Sequence, residues 1–196
     1  MPKGRLEAFS DGVIAIIITI MVLELRPPHG ETLAELRPLV PVFFSYVLSF
    51  CYVGIYWTNH HHMLQATQRV TGPILWANLH LLFWLSLFPF VTAWSGENHF
   101  AAMPIALYGV VLLMAAIAYF TLSQMLIRHH GRDSALAKAI GSDGKGIVSL
   151  FIYAAGIPLA FVNHWLAFGL YALVALIWII PDRRIEKKLV PATDQK

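Results

Sequence analysis

Charged residues are scarce in this sequence. They make up 13% of its 196 residues, while hydrophobic residues make up 58%. Globular domains carry about 25% charged residues, so this composition excludes an ordinary soluble enzyme or binding domain and indicates an integral membrane protein. The net charge of +3 gives little reason to expect a nucleic-acid partner.

Cysteine is also nearly absent. Cys51 is the one cysteine of the chain, which excludes an intramolecular disulfide and leaves the redox compartment open. The basic start and the apolar run after it are typical of a secretory signal, but the LELRPP segment that follows has no small-residue cleavage site. We therefore expect the first apolar segment to be a retained helix.

Long stretches without acidic or basic residues define the predicted membrane spans, each near the roughly 20 residues that cross the hydrocarbon core. The last stretch, residues 146–181, has basic segments on both sides. The positive-inside rule then requires an even number of crossings, with a hairpin at Asn163 and His164. The prediction is an all-α membrane protein with six transmembrane helices, at residues 5–25, 38–58, 72–94, 103–127, 146–162 and 165–181.

The distribution of lysine and arginine orients these spans. With both termini in the cytoplasm, every basic residue except Arg26 and Arg37 lies on the inner side. We therefore predict a multi-pass protein of the cell membrane, with a transmembrane domain at residues 1–182 and a cytoplasmic tail at residues 183–196. Prolines 89, 104 and 158 are expected to bend or open the later helices.

An aspartate, Asp11, lies near the start of the first span. Ser10 or Asp11 would cap a helix that begins at Gly12. That helix would measure only about 20 Å before Arg26, which is short of the roughly 30 Å core. The alternative is an intramembrane carboxylate, which is costly unless it has polar partners.

Three polar side chains are candidate partners for Asp11. Arg5 precedes it by about 9 Å of helical rise, within reach of a long side chain. Asn78 and His80 lie in the third span with no charge nearby. Such residues in membrane helices usually form hydrogen bonds between helices, so we expect them to supply donors to Ser10 and Asp11.

A helical wheel divides the first span into two faces. At about 100° per residue, Ser10 and Asp11 point away from an apolar face. A stripe of this kind is often simple packing or lipid contact. It is also what a hydrophobic constriction needs, a device by which channels gate through dewetting. The face consists of Phe9, Gly12, Ile16, Thr19, Ile20 and Leu23.

Three consecutive histidines, His60, His61 and His62, end the second span. Neighbouring helical residues fan out by about 100° each, so these rings cannot converge on one metal ion without ligands from elsewhere. We expect a polar, pH-sensitive cap at the membrane interface and no metal site.

Three longer patterns point to a family. The first helix carries R-x-x-x-F-S-D, the second Y-W-x-N-H-H and the third N-L-x-L-L-F-W-L-S-L-x-P-F. With these patterns the chain closely resembles the prokaryotic relatives of the lysosomal potassium channel, the transmembrane protein 175 family. The first pattern consists of Arg5, Phe9, Ser10 and Asp11, with Gly12 directly after it.

The resemblance implies a potassium-preferring cation channel whose pore is lined by the first helix. It implies a narrow point at Ile16, with Ile20 and Leu23 further along the same wall, and it links Thr19 with selectivity. Ordinary potassium channels carry a T-V-G-Y-G filter, and this sequence has no such segment. Permeant potassium ions, and no cofactor, are expected.

The resemblance also implies a polar network and an assembly. Arg5, Ser10 and Asp11, joined by Trp57 and His80, would tie helices together without coordinating ions. Eukaryotic members carry two motif-bearing halves and pair as dimers, whereas this chain carries one, so a homotetramer is implied. The expected partners are three identical subunits, the lipid bilayer, and potassium and other monovalent cations.

Two other functions stay open at this point. A proton-coupled secondary transporter would use Asp11 and His80, and it predicts related halves or helices broken within the membrane. A membrane enzyme would use the histidine run, and it predicts ligands that converge from facing helices. Neither feature is clear in the sequence, and we expect no enzymatic activity.

Overall fold

The computed structural model of the chain describes residues 3–67, 69–131, 137 and 144–179. The regular secondary structure in these ranges is helical, and six helical segments lie where six spans are predicted, which confirms the all-α fold. The end of the sixth predicted span and the tail at residues 183–196 lie outside the described residues. The elements are α1 (Lys3–Leu23), a 3₁₀ helix (Leu33–Leu39), α2 (Val40–Gln65), α3 (Gly72–Ser86), α4 (Phe88–Glu97), α5 (Ala102–His130), α6 (Gly144–Val162) and α7 (His164–Ile179).

The lengths of these segments suit a bilayer. Among the described residues, five helical segments are long and apolar enough to cross a membrane: α1, the 3₁₀ helix with α2, α3 with α4, α5, and α6. The sixth, α7, is apolar over its 16 described residues. Helix α1 packs on α2, α3 and α4, while α5 packs on α3, α4, α6 and α7. The first helix therefore lies at one side of the subunit.

A break at Leu87 divides the third span into α3 and α4. Pro89 explains it, because proline has no N–H to donate to the carbonyl of Leu85 and its ring clashes with that turn. The Leu87 N–H donates instead to the carbonyl of Trp84 at 3.3 Å, as in a 3₁₀ turn. The other prolines act differently. Pro104 lies in the first turn of α5, where no intrahelical donor is needed, and α6 continues through Pro158.

Hydroxyl groups join α2 to α4 and α5 inside the bundle. Ser45 Oγ donates to the carbonyl of Thr92 at 2.7 Å, and Thr92 Oγ1 lies 2.6 Å from Ser49 Oγ. Ser49 Oγ in turn lies 2.7 Å from Tyr108 OH. A buried chain of hydrogen bonds of this kind needs every member to be satisfied, and it specifies how α4 meets α2.

Asn163 forms the turn between the last two helices. Its side-chain Oδ1 accepts from the backbone N–H groups of Trp165 at 3.1 Å and Leu166 at 3.2 Å. This is the bonding of an N-cap residue, which satisfies free donors at a helix start. The apolar stretch therefore forms two helices that meet at a tight, capped turn.

Gly96 allows α4 to pack closely on α2, and its replacement provides a test of the fold. A Cβ at this position would lie 2.6 Å from the Cα of Val42, so Gly96→Ala must push two backbones apart. We expect a loss of about 1–3 kcal/mol of stability, measured as a lower thermal unfolding midpoint in detergent. The matched control is Gly169→Ala in α7, where a Cβ meets nothing within 4 Å. Equal midpoints for the two variants would contradict the close packing.

Candidate functional site

Helix α1 has one packed face and one exposed face. Ile14 and Ile17 are 2% and 3% exposed, whereas Ile16 is 60% and Leu23 is 72% exposed. The buried residues recur every three or four positions, as one side of an α-helix requires. The two faces fall where the helical wheel places them. The exposed face carries Phe9, Gly12, Ile16, Thr19, Ile20 and Leu23, and the packed face carries Leu6, Ser10, Ile14, Ile17 and Met21.

Thr19 is a polar side chain on the exposed face. Its Oγ1 donates to the carbonyl of Ala15 at 2.9 Å, one turn earlier in the same helix. A hydroxyl has one donor and two acceptor lone pairs, so the proton is used within the helix and the lone pairs remain available. Thr19 therefore presents oxygen acceptors on a wall that is otherwise apolar.

Ser10 is fully buried and bridges α1 to α3. Its Oγ donates to the carbonyl of Leu6 at 2.9 Å and accepts from Asn78 Nδ2 at 3.0 Å. On the other side of the amide, Asn78 Oδ1 lies 2.7 Å from His60 Nε2 on α2. An amide oxygen only accepts, so His60 carries its proton on Nε2. One buried amide thus connects three helices, and it does so through side chains that are 0% (Ser10, Asn78) and 1% (His60) exposed.

Asp11 lies at the edge of the packed face, next to α2. Its Oδ1 accepts from Trp57 Nε1 at 3.0 Å. Bonds from a neutral donor to a carboxylate are stronger than bonds between neutral groups. Asp11 therefore has a side-chain partner on the neighbouring helix, and this partner, Trp57, is a residue that the family resemblance assigns to the same network.

Two members of the expected network are not brought to Asp11 within one subunit. His80 is exposed, and its Nε2 accepts from Trp84 Nε1 at 3.0 Å, one turn along α3. Arg5 is exposed on α1 and has no hydrogen bond or ion pair among the described residues. Asn78 donates to Ser10, as expected, whereas the donor to Asp11 is Trp57 and not His80.

The three consecutive histidines point in different directions. His60 contacts Asn78, whereas His61 Nδ1 lies 3.6 Å from Glu7 Oε1 on α1. The ring of His62 meets the ring of His61 edge-on, with 5.8 Å between the ring centroids. Among the described residues no three histidine, cysteine or acidic side chains form a group that could hold a metal ion.

Sequence reasoning missed two contacts, that of His60 with Asn78 and that of Glu7 with His61. A signal for the second contact exists in the spacing. Residues 57 and 61 lie four apart on α2, as residues 7 and 11 do on α1, and positions four apart share a helix face. His60 falls on the buried side of α2 with Tyr56 and Met63.

The buried amide of Asn78 can be tested directly. Asn78→Leu would leave His60 Nε2 and the acceptor side of Ser10 Oγ unpaired, at a cost of about 1–3 kcal/mol for each unsatisfied group. We expect a clear decrease in the thermal unfolding midpoint of the purified protein. The control is Asn98→Leu, because Asn98 is exposed and among the described residues its amide bonds only to the carbonyl of Trp94 in the last turn of α4. A midpoint unchanged by Asn78→Leu would show that the bridge contributes little.

Comparison with known proteins places the chain in a family. The sequence profile of the family described as endosomal/lysosomal potassium channel TMEM175 matches residues 5–89, which include most of α1 and all of α2 and α3. A potassium channel of Chryseobacterium sp. (strain P1-3) is 58% identical over 189 residues, covering 96% of this chain and 98% of that protein. A potassium channel of Streptomyces collinus is 31% identical and covers 90% of this chain and 91% of that protein.

A solved structure gives the same result for the fold. The crystal structure of a lysosomal potassium-selective channel TMEM175 homolog from Chamaesiphon minutus superposes with a TM-score of 0.78 at 28% identity. The match covers 93% of this chain and 97% of that one. Sequence and fold agree along nearly the whole length, and the chain, a multi-pass membrane protein, belongs to the TMEM175 family.

Proposed function

We propose that the protein is a potassium-preferring cation channel, in which ions pass a hydrophobic constriction formed by the first helices of four subunits. The observation that carries this proposal is the exposure of the α1 face that bears Ile16, Thr19, Ile20 and Leu23, while the opposite face is packed in the subunit. The bacterial relatives of similar length are named potassium channels, which supports the same function for this chain.

The exposed face of α1 has two possible neighbours, lipid or an aqueous pathway. Gly12 and Thr19 interrupt its apolar surface, and the acceptor lone pairs of Thr19 find no donors in lipid tails. A single helix cannot enclose a pore, so several copies of the subunit must contribute. The chain carries the R-x-x-x-F-S-D pattern once, whereas the resemblance implies two motif-bearing halves in eukaryotic members that pair as dimers. Four copies of this chain would supply the same number of pore helices.

Ile16, Ile20 and Leu23 form the constriction in this proposal. At 1.5 Å of rise per residue, Ile20 lies about 6 Å and Leu23 about 10 Å beyond Ile16 along α1. Four copies would give stacked apolar rings at these heights. Water leaves a narrow apolar passage readily, so such rings act as a gate. Potassium is less strongly hydrated than sodium, and partial dehydration at the rings favours it without a carbonyl filter.

Thr19 supplies the polar contact between these rings. Its lone pairs lie on the exposed face, and its proton is bonded to Ala15. Four such hydroxyls would compensate in part for the water that an ion loses beside Ile16 and Ile20. We assign the selectivity of the pore to Thr19 for this reason.

Arg5, Ser10 and Asp11 position the pore helix in this proposal, with Trp57 as partner on α2. Ser10 and Asp11 bond toward the packed side of α1, through Asn78 and Trp57. Ser10 Oγ and Asp11 Oδ1 thus bond away from the exposed face. His80 and Arg5 are both exposed in the isolated subunit, and in this proposal a second copy meets them. Phe9 and Gly12 start the pore-facing side.

A proton-coupled transporter using Asp11 and His80 is the second candidate, and the helix break at Leu87 favours it. The two side chains, however, bond to different tryptophans, Trp57 and Trp84.

The proposed channel needs the lipid bilayer and monovalent cations as its partners. Because the family is one of channels, we propose permeant ions in place of a cofactor, and no enzymatic activity.

Current measurements on reconstituted protein distinguish these functions. Under opposed potassium and sodium gradients, we expect an uncoupled current that reverses near the potassium equilibrium potential. Thr19→Val should move the reversal potential toward zero, because it removes the oxygen acceptors. The control is Thr58→Val, which removes an exposed hydroxyl that bonds within α2 to Gly54. An electroneutral flux that requires a proton gradient would identify a transporter instead.

Ile16→Ala tests the constriction. A methyl in place of the isoleucine side chain widens and wets the narrow ring, so we expect a several-fold higher cation flux into liposomes. Ile147→Ala makes the same change on α6, where the side chain is 50% exposed, and should leave the flux unchanged. If Ile16→Ala leaves the flux at the level of the parent protein, the narrow point lies elsewhere.

A further inference from the structure

Three contacts between α1 and α2 repeat at intervals of four residues. Lys3 Nζ donates to the carbonyl of Gln65 at 2.9 Å, and Asp11 Oδ1 accepts from Trp57 Nε1 at 3.0 Å. Between them, Glu7 Oε1 lies 3.6 Å from His61 Nδ1. The residue numbers rise on α1 as they fall on α2, as antiparallel helices require. We call these contacts the α1–α2 ladder, consisting of the pairs 3 with 65, 7 with 61, and 11 with 57.

The middle pair of the ladder depends on charge. A separation of 3.6 Å is too long for an effective hydrogen bond, so Glu7 and His61 attract each other mainly when the imidazole is protonated. The two side chains are 26% and 41% exposed, and water can therefore deliver and remove the proton. Histidine is the side chain that changes charge between about pH 5 and 8.

The stacking of Trp57 on His61 connects the middle pair to the next one. The centroids of the two rings are 6.0 Å apart, and the ring planes are inclined by 29° to each other. A cation over an indole face is attracted to it, so protonation of His61 strengthens its contact with Trp57 as well as with Glu7. Trp57 is the residue that holds Asp11. Both interactions hold α1 against α2.

The other charged groups near His61 leave this effect in place. From α1 the facing groups are Lys3, bonded to Gln65, and Asp11, bonded to Trp57. On α2 itself the neighbours are His60, which faces Asn78, and His62, whose ring contacts that of His61. On α3 the titratable group is His80, which bonds to Trp84.

Three further elements that pack on α2, the 3₁₀ helix, α4 and α7, bring their titratable groups to its other end. Helices α5 and α6 contact α2 through Tyr119 and Tyr153, whose rings meet those of Tyr56 and Tyr52. Gly96 at the end of α4 packs on Val42, about 28 Å of helical rise from His61. The start of α7 lies at the same end, because the ring of Trp165 contacts that of Phe100 just beyond α4. The groups concerned are Glu35, Arg37, Glu97 and His164.

We propose that Glu7 and His61 are positioning residues that form a protonation-dependent brace on the pore helix. Acidification on the N-terminal side of the membrane pulls this end of α1 onto α2, and the exposed face of α1 moves away from the pore axis. Cation flux therefore rises as the pH on that side falls from 8 to 6. The effect on flux rests on the proposed channel function, whereas the brace itself does not.

Thermal unfolding measures the brace independently of ion conduction. A double-mutant cycle of Glu7→Gln, His61→Gln and the double variant isolates the coupling between the two residues. We expect the two single changes to be non-additive in the unfolding midpoint at pH 6 and additive at pH 8. His62→Gln, combined with Glu7→Gln, is the control and should be additive at both pH values. A coupling of equal size at both pH values, or none at pH 6, would overturn the proposal.

Flux at different pH values tests the effect on the pore. With the pH varied on the N-terminal side, the parent protein and His62→Gln should show a several-fold higher flux at pH 6 than at pH 8. Glu7→Gln and His61→Gln should each remove most of this difference. An identical pH profile in all four proteins would refute the role in positioning. If the parent protein carries no uncoupled current at any pH, the channel assignment fails, and the unfolding cycle still decides whether the brace exists.

Discussion

Polar side chains within a bilayer have no water to bond with, and they must find partners in the protein. In this subunit the amide of Asn78 meets that requirement for two other helices at once, through Ser10 on α1 and His60 on α2. Both the oxygen and the nitrogen of this amide are hydrogen-bonded. Rotation of α1 about its axis would break the bond to Ser10 and leave a buried donor and acceptor unpaired. The rotation of α1 in turn determines that Ile16 and Thr19 lie on the exposed side.

This arrangement separates two tasks on one helix. Side chains that hold the helix point into the subunit, and side chains that would meet ions point out of it. Ser10 and Ile16 are 0% and 60% exposed, although they lie fewer than two turns apart. A carboxylate in the ion pathway would bind cations strongly and slow their release, since conduction requires binding that is weak enough to let ions leave. Asp11, bonded to Trp57, acts on permeation through the position of α1 alone in the function proposed above.

Much of this arrangement follows from local sequence. The period of the α-helix sorts the residues of α1 by face, so the wheel places Ile16, Thr19 and Ser10 on the sides where the structure has them. The same period shows that three consecutive histidines diverge. Asn163 has the chemistry of an N-cap, which suits the hairpin between α6 and α7. The prolines are less predictable from sequence, because the effect of each depends on its distance from a helix end.

The sequence by itself determined that the chain is a membrane protein of six apolar helical segments and which residues share a face of α1, because composition and helical periodicity are local properties. Only the tertiary structure decided which side chains meet. Asp11 bonds to Trp57, His80 bonds within α3, and Glu7 faces His61. These pairings depend on the axial register of helices that are distant in sequence. Register results from the packing of many side chains at once, and no single segment of the sequence encodes it.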